Sequence, residues 1–275
     1  MVSLKNNKFL ILGAGNMGIS FIKALLQNKI SASKIFIIEK NISLELKKIK
    51  LKKKITIAKD ASKFSKNFKP TITLLAVKPN QLASAMNDEL IDIMSGSLII
   101  SIIAGKKIRE LKKITGSKLK TVRAMTNTPV SLGMATSILF FDKGINKKDR
   151  ALAKEFLALV GQVNEAKNES LIDAFTAIYG SGPAYIFLMI EILIKISSKA
   201  GLKNSENMVI QTFLGSLLLL MSGKDDAKTL RKKVTSKGGT TQAALSILNN
   251  HKGLPELLSR AINKAKRRSI ELSIN

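Results

Sequence analysis

The chain has 275 residues, 45% of them hydrophobic and 24% charged, the balance of a globular protein with one large or two ordinary domains. It has no cysteine, which excludes a disulfide framework and a thiolate zinc site; no metal centre is expected. The net charge of +27 raises nucleic-acid binding as a function, but the basic residues are spread along the whole chain, only seven of the 46 are arginine, and there is no tryptophan to stack on bases. No specific nucleic-acid partner is expected, only a general pull on anionic ligands. Residues 1–7 hold no apolar signal core, and the lack of cysteine suits a reducing compartment, so a cytoplasmic location is expected.

Phe9-Leu10-Ile11-Leu12 reads as a strand buried on both faces, followed at once by Gly13-Ala14-Gly15-Asn16-Met17-Gly18 and an amphipathic helix to about Gln27. In such a strand–turn–helix, Gly13 permits the tight turn, Gly15 lets backbone approach a pyrophosphate, and Gly18 lets helix pack on strand. The helix N-terminus then faces the phosphates with its free N–H groups. Lys34 to Glu39 is a second strand ending in an acid, with Lys40 and Asn41 next. A lysine-rich helix (44–51), a short strand (55–57) and a short helix (61–64) lead to a strand over Thr71 to Val77. Ala76-Val77-Lys78-Pro79 closes it, with Pro79 opening a helix to Met94. Strand 97–103 stops at Ala104-Gly105. A helix (108–113), a strand (120–125), the segment Thr126-Asn127-Thr128-Pro129, a strand (136–141) and a helix (147–160) complete the pattern.

Alternating strands and helices predict a parallel sheet with right-handed crossovers, a Rossmann-like α/β domain over 1–165. Ligands of such sheets sit outside the carboxyl ends of the strands, where the glycine turn, Glu39 to Asn41, Lys78-Pro79, Ala104-Gly105 and Thr126 to Pro129 all fall. Beyond about residue 165 strand signals stop, and 166–275 reads as an all-helical domain. A helix capped by Asn168 or Ser170 is expected to break at Gly180-Ser181-Gly182-Pro183. Further helices run from Ala184 to Ala200 with Gly201 ending it, from a cap at Ser205 through Leu214 to Met221 with Gly223 ending it, over 226–234, from Thr240 or Thr241 to Asn250, and from Pro255 through Leu272. Phe175 to Ile190 carries no charge, but it is too short for a membrane span and is interrupted, so it reads as a helix buried at a subunit interface rather than in a bilayer.

The motifs already quoted occur in order with Ser101-Ile102-Ile103-Ala104-Gly105, Arg123 to Pro129, Gly180 to Tyr185 and Val234-Thr235-Ser236-Lys237-Gly238-Gly239-Thr240-Thr241. Over its whole length the chain resembles pyrroline-5-carboxylate reductase. It departs at Thr126 and Lys237, where the family usually has proline. The resemblance implies hydride transfer from a nicotinamide cofactor to the imine carbon of a five-membered ring bearing a carboxylate, the last step of proline synthesis. It implies cofactor contacts from residues 13–18, 39–41, 76–79, Ala104, Gly105 and Asn127, and a homodimer through the helical domain, with larger rings of dimers common in the family.

An imine nitrogen is protonated near neutrality, so a hydroxyl that holds it suffices, and Thr241 is the residue matched to that role; its other reading is a helix cap. Ser236, Gly238 and the N–H groups of Gly239 and Thr240 form the expected carboxylate site. The cofactor signals conflict. An acid at Glu39 would hold the ribose 2′-hydroxyl of NADH, whereas the resemblance leans to NADPH, with Lys40 and Asn41 on its phosphate and Glu39 turned away. NADPH is the expectation, NADH the second. Two alternatives are a β-hydroxyacid-type dehydrogenase, which needs an asparagine one turn after its lysine where Lys167 is followed by Leu171, and a non-enzymatic dinucleotide-binding protein, which leaves the Gly-Gly-Thr-Thr loop without a purpose.

Overall fold

A computed structural model describes residues 4–64, 68–116 and 119–273. Eight strands form one sheet: β1 (Phe9–Leu12), β2 (Ile35–Ile38), β3 (Thr56–Ala58), β4 (Ile72–Leu75), β5 (Leu98–Ser101), β6 (Lys120–Thr126), β7 (Ala135–Phe141) and β8 (Gly161–Glu165), in the order β3-β2-β1-β4-β5-β6-β7-β8. The helices that cover it are α1 (Asn16–Gln27), α2 (Leu44–Lys53), α3 (Leu82–Ala85), α4 (Asp88–Met94), α5 (Ile108–Thr115) and α6 (Lys147–Ala158). Alternate residues of β1 face opposite cores. Phe9 and Ile11 join α1 and α6, where Phe156 stacks on Phe9 and Phe21 at 5.9 and 5.3 Å. Leu10 and Leu12 join the layer of Leu82, Leu90 and Leu111. Burial on both faces is why these strands read as continuous apolar runs.

The order 3-2-1-4-5-6 places a switch point between β1 and β4, beside which the carboxyl ends of β1, β2 and β4 gather. Three features depart from the sequence reading. First, β7 runs antiparallel to β6, because the connection 127–134 is too short for a crossover helix; it turns back through Pro129 and Gly133, the latter at φ +69°. Second, β8 pairs parallel to β7 at the sheet edge, with a polar, largely exposed sequence that carries no strand signal. Third, the helix expected from Pro79 to Met94 is interrupted at Met86-Asn87, where Asn87 caps α4 by accepting the Leu90 N–H at 2.8 Å.

The chain divides into two compact units, 1–181 together with 266–275, and 182–265. Packing thus separates them at Ser181, sixteen residues beyond the loss of strand signals, and returns the C-terminal segment to the first unit. The reason lies in α7 (Leu171–Phe175) and a π-helical turn (Thr176–Gly180), which pack on the sheet through Ile172, Phe175 and Ile138. The expected break at 180–183 is that π turn: Ser181 N–H donates to the Thr176 carbonyl at 2.9 Å, five residues back, and Gly182-Pro183 opens α8 (Gly182–Lys199). Helices α9 (Ser205–Met221), α10 (Ala227–Lys233), α11 (Thr240–Leu248) and α12 (Leu254–Glu271) follow. Ser205 does not cap α9; its hydroxyl donates to the Leu202 carbonyl.

Of 182–265, Ser205 alone is buried in the isolated chain, while Phe187, Leu188, Leu217, Leu218 and Ile247 are among the exposed apolar side chains. The helical run Leu171–Lys199 is long and apolar enough, by length and composition, to cross a membrane.

Candidate functional site

The site begins with the turn after β1. Gly13 adopts φ +93°, and a Cβ there would stand 2.8 Å from the Ala76–Val77 backbone; a Cβ on Gly18 would collide with the Gly13 carbonyl oxygen at 2.1 Å. Both glycines are required by packing inside the protein. Gly15 is different, with nothing within 4 Å of where its Cβ would lie. Open space at the mouth of α1 suits a residue whose backbone must be approached by a ligand.

A cavity of about 530 Å³ opens here. It is lined by Gly13, Ala14 and Gly15 after β1, by Glu39, Lys40, Asn41 and Ser43 after β2, by Lys59 and Asp60 after β3, and by Ala76, Val77 and Lys78 after β4. The structure therefore brings together nine of the expected cofactor residues. Asn16, Met17, Gly18 and Pro79 fall outside this lining, as do Ala104, Gly105 and Asn127. Lys59, Asp60, Gln81, Met86 and Asn87 line it without having been singled out in sequence; only a strand of three residues (β3) and a broken helix deliver them, and neither gives a clear periodic signal.

Glu39 does not turn away from the turn. One carboxylate oxygen accepts the Ala14 N–H at 2.7 Å and the other accepts the Asn41 N–H at 2.9 Å. Asp60 is occupied by its own turn, accepting from the Ser62 N–H and hydroxyl, and that hydroxyl above all holds its carboxyl below the usual carboxylate range.

Two expected cofactor residues have structural employment. Gly105, at φ +71°, lies where a Cβ would meet the Leu272 backbone oxygen at 2.7 Å, so the C-terminal segment takes the space its missing side chain leaves. Asn127 uses both ends of its amide: its oxygen accepts the Thr136 N–H at 3.0 Å, and its nitrogen donates to the Tyr179 carbonyl at 3.2 Å, within the π turn. Thr126, standing for the family's proline, accepts a hydrogen bond from the Ser137 hydroxyl at 2.9 Å and extends the β6–β7 ladder, so ladder and hydroxyl together fix the segment.

The second set of candidates lies in 182–265. Gly239 is the N-cap of α11, without a side-chain capping bond, so Thr240 and Thr241 occupy the first two helical positions and Thr241 is not a cap. The Gly239 N–H is taken by the Ser236 carbonyl at 3.2 Å and the Gly238 N–H by the Gln242 side-chain oxygen at 2.6 Å. Both N–H groups, on residues expected at the carboxylate site, are thus engaged within the loop in this structure. The donors left over are the N–H groups of Thr240 and Thr241, at the positive end of a nine-residue helix, with the Thr241 hydroxyl beside them. The Ser236 hydroxyl folds back to 2.5 Å from where a Cβ on Gly239 would stand. Gln242, which latches this loop, was missed; a glutamine at the third helical position is the signal that points to it.

A switch-point cavity under a glycine turn, joined in one chain to a helical unit that cannot bury its own apolar surface, defines a dinucleotide-dependent oxidoreductase with a subunit-pairing domain. Comparison with known proteins narrows the class. Residues 169–272 match the family "Pyrroline-5-carboxylate reductase dimerisation", and 8–105 match "NADP oxidoreductase coenzyme F420-dependent". The chain is 31% identical over 272 residues to pyrroline-5-carboxylate reductase of Vibrio alginolyticus, covering 98% of each, and 32% identical over 264 residues to pyrroline-5-carboxylate reductase 2 of Bacillus subtilis, covering 94% of this chain and 93% of the other. Among solved structures it is similar to a pyrroline-5-carboxylate reductase from Coxiella burnetii (TM-score 0.86, 32% identity, 97% and 98% of the two chains) and to Plasmodium falciparum pyrroline carboxylate reductase with NADP bound (TM-score 0.85, 27% identity, 98% and 100%). The chain belongs to the pyrroline-5-carboxylate reductase family, and it is an NAD(P)H-dependent oxidoreductase of the reduction step of proline biosynthesis.

Proposed function

We propose that the cavity over β1, β2 and β4 holds the adenosine and pyrophosphate of NAD(P)H, and that the start of α11 holds pyrroline-5-carboxylate. The carrying observation for the first is the open space at Gly15 beside the N-terminus of α1, which fits a pyrophosphate. The bound cofactor supplies the hydride. The protein's own work is to bind and orient. The N–H groups of Thr240 and Thr241 receive the ring carboxylate, with the Ser236 hydroxyl as a further donor. The Thr241 oxygen accepts from the N–H of the protonated imine and so fixes which ring face is presented. Because the imine carries its own proton near neutrality, no acid among the protein side chains is called on.

The exposed apolar faces of α8 and α9 support a homodimer formed through 182–265, and pairing of that kind accounts for the apolar run Leu171–Lys199 without a bilayer. Such a dimer of a cytoplasmic enzyme needs no partner beyond a second copy and its small-molecule substrate. Purified protein is expected to consume NADH or NADPH only when pyrroline-5-carboxylate is present and to yield proline in equal amount. Cofactor loss without added imine, or folded protein with no proline formed, overturns the reading.

A further inference from the structure

The charged groups of the cofactor cavity are two acids held by hydrogen bonds, Glu39 and Asp60, and three exposed lysines. Glu39 is fixed. Its carboxylate is half-buried at the end of β2, with each oxygen committed to a backbone N–H, Ala14 of the glycine turn on one side and Asn41 on the other. Each oxygen keeps further lone pairs facing the cavity, so the group can accept hydrogen bonds from a diol and cannot donate any. The cations are placed differently. Lys40, Lys59 and Lys78 are exposed, and none makes an ion pair among the described residues. Among the described residues no arginine lines the cavity. A planar guanidinium is the group that grips a phosphate in two places at once, whereas a lysine on a solvated, mobile stem offers a screened point charge.

We propose that Glu39 is the cofactor-selecting residue of this chain: it accepts from the hydroxyls of an unphosphorylated adenosine ribose, so NADH binds more tightly than NADPH. The carboxylate cannot swing away from a 2′-phosphate without giving up the Ala14 bond that shapes the glycine turn. A phosphate there meets a fixed negative charge at hydrogen-bond range, and mobile lysines offset only part of the repulsion. NADPH is still bound, more weakly, with Lys40 as its partial compensation. Asp60, the other acid of the cavity, is engaged with Ser62 and takes no part. The proposal rests on assigning this cavity to NAD(P)H; it is tested by binding without imine substrate, so its failure leaves the reductase activity standing.

The dissociation constants of NADH and NADPH are measured on the whole protein by nicotinamide fluorescence at fixed ionic strength, with ADP and 2′,5′-ADP as fragments competing for the adenosine end. The parent is expected to bind NADH at least about tenfold more tightly than NADPH, and ADP more tightly than 2′,5′-ADP. Glu39→Ser is expected to bring the two cofactors level or invert them, and Glu39→Gln, which keeps size and one acceptor oxygen, to move the ratio the same way by less. Lys40→Ala is expected to weaken NADPH alone. A parent that prefers NADPH overturns the proposal. So does an unchanged ratio in both Glu39 variants, or an equal fall in both affinities, which would mark Glu39 as a purely structural latch on the glycine turn. If Glu39→Ser does not fold, the Gln variant decides by the same ratio.

Discussion

Thr241 sits at the second position of α11 with a hydroxyl that makes no hydrogen bond to the described protein, while the true N-cap, Gly239, has no side chain to offer. A threonine that neither caps nor packs in a core has little structural reason for its hydroxyl. Losing one neutral hydrogen bond costs about 0.5–1.5 kcal/mol, up to roughly tenfold in rate. Thr241→Ala is therefore expected to lower kcat/KM for pyrroline-5-carboxylate by about one order of magnitude. Cofactor Kd and Tm should hold, and Thr241→Ser should restore the rate. An alanine variant with parental kcat/KM would remove Thr241 from the site and leave Ser236 as the candidate. The same loop shows a substitution absorbed locally: Lys237 stands where the family has proline, yet the Ser236–Gly239 and Gly238–Gln242 bonds fix its neighbours on both sides.

Among the elements, β6, α7 and the C-terminal segment are tied at one buried point. Arg123 on β6, 2% exposed, pairs with Asp173 on α7 at 3.2 Å and with Glu169 at 3.4 Å. Ser269 donates to the same Asp173 oxygen at 3.0 Å, and the other contact of Glu169 is the Ile108 N–H that opens α5, at 2.8 Å. Four segments thus converge on a single guanidinium and two carboxylates. Asp173→Ala leaves the arginine with only the more exposed Glu169, and breaking a buried pair costs about 3–5 kcal/mol, so a loss near the lower end of that range is expected. Arg123→Met combined with Asp173→Ala should recover much of it, because no uncompensated charge is left in the core. Urea unfolding of the three proteins checks this; a double variant as weak as the single one would show that the node contributes packing rather than charge balance.

For the molecule as a whole, the helical unit presents Phe187 (65% exposed) and Leu188 (54%) on α8, with further leucines along α9. A surface of this kind fits pairing with a second copy, in keeping with the dimerisation family that residues 169–272 match. Phe187→Asp or Leu188→Asp is expected to give monomers by light scattering, with proline formation largely lost. A monomeric parent protein that is fully active would refute the dimer.

The first unit was largely legible because its signals are local. Buried strands are continuous apolar runs, α1 spans Asn16–Gln27 as its pattern predicts, and the glycine turn announces itself by spacing. The helical character of 182–265 was legible for the same reason, from Gly201 and Gly223 at helix ends, both at positive φ; that Asp226 caps its helix, accepting the Thr229 N–H at 2.8 Å, is seen only in the structure. What the sequence could not decide depends on partners distant in the chain. The polar strand β8 is a strand only because β7 offers it a ladder. Arg123 is one basic residue among 46 until Asp173 and Ser269 close around it. Asn127 becomes a bolt only when the π turn brings the Tyr179 carbonyl to it. Glu39 is the same case: the sequence reading expected it turned away, and the Ala14 N–H, twenty-five residues earlier, instead holds its carboxylate at the glycine turn. Local pattern fixes elements, because backbone hydrogen bonding and burial periodicity are properties of a few consecutive residues; the state of each polar side chain waits for tertiary structure, because a buried donor or acceptor must be satisfied by whatever the fold brings near.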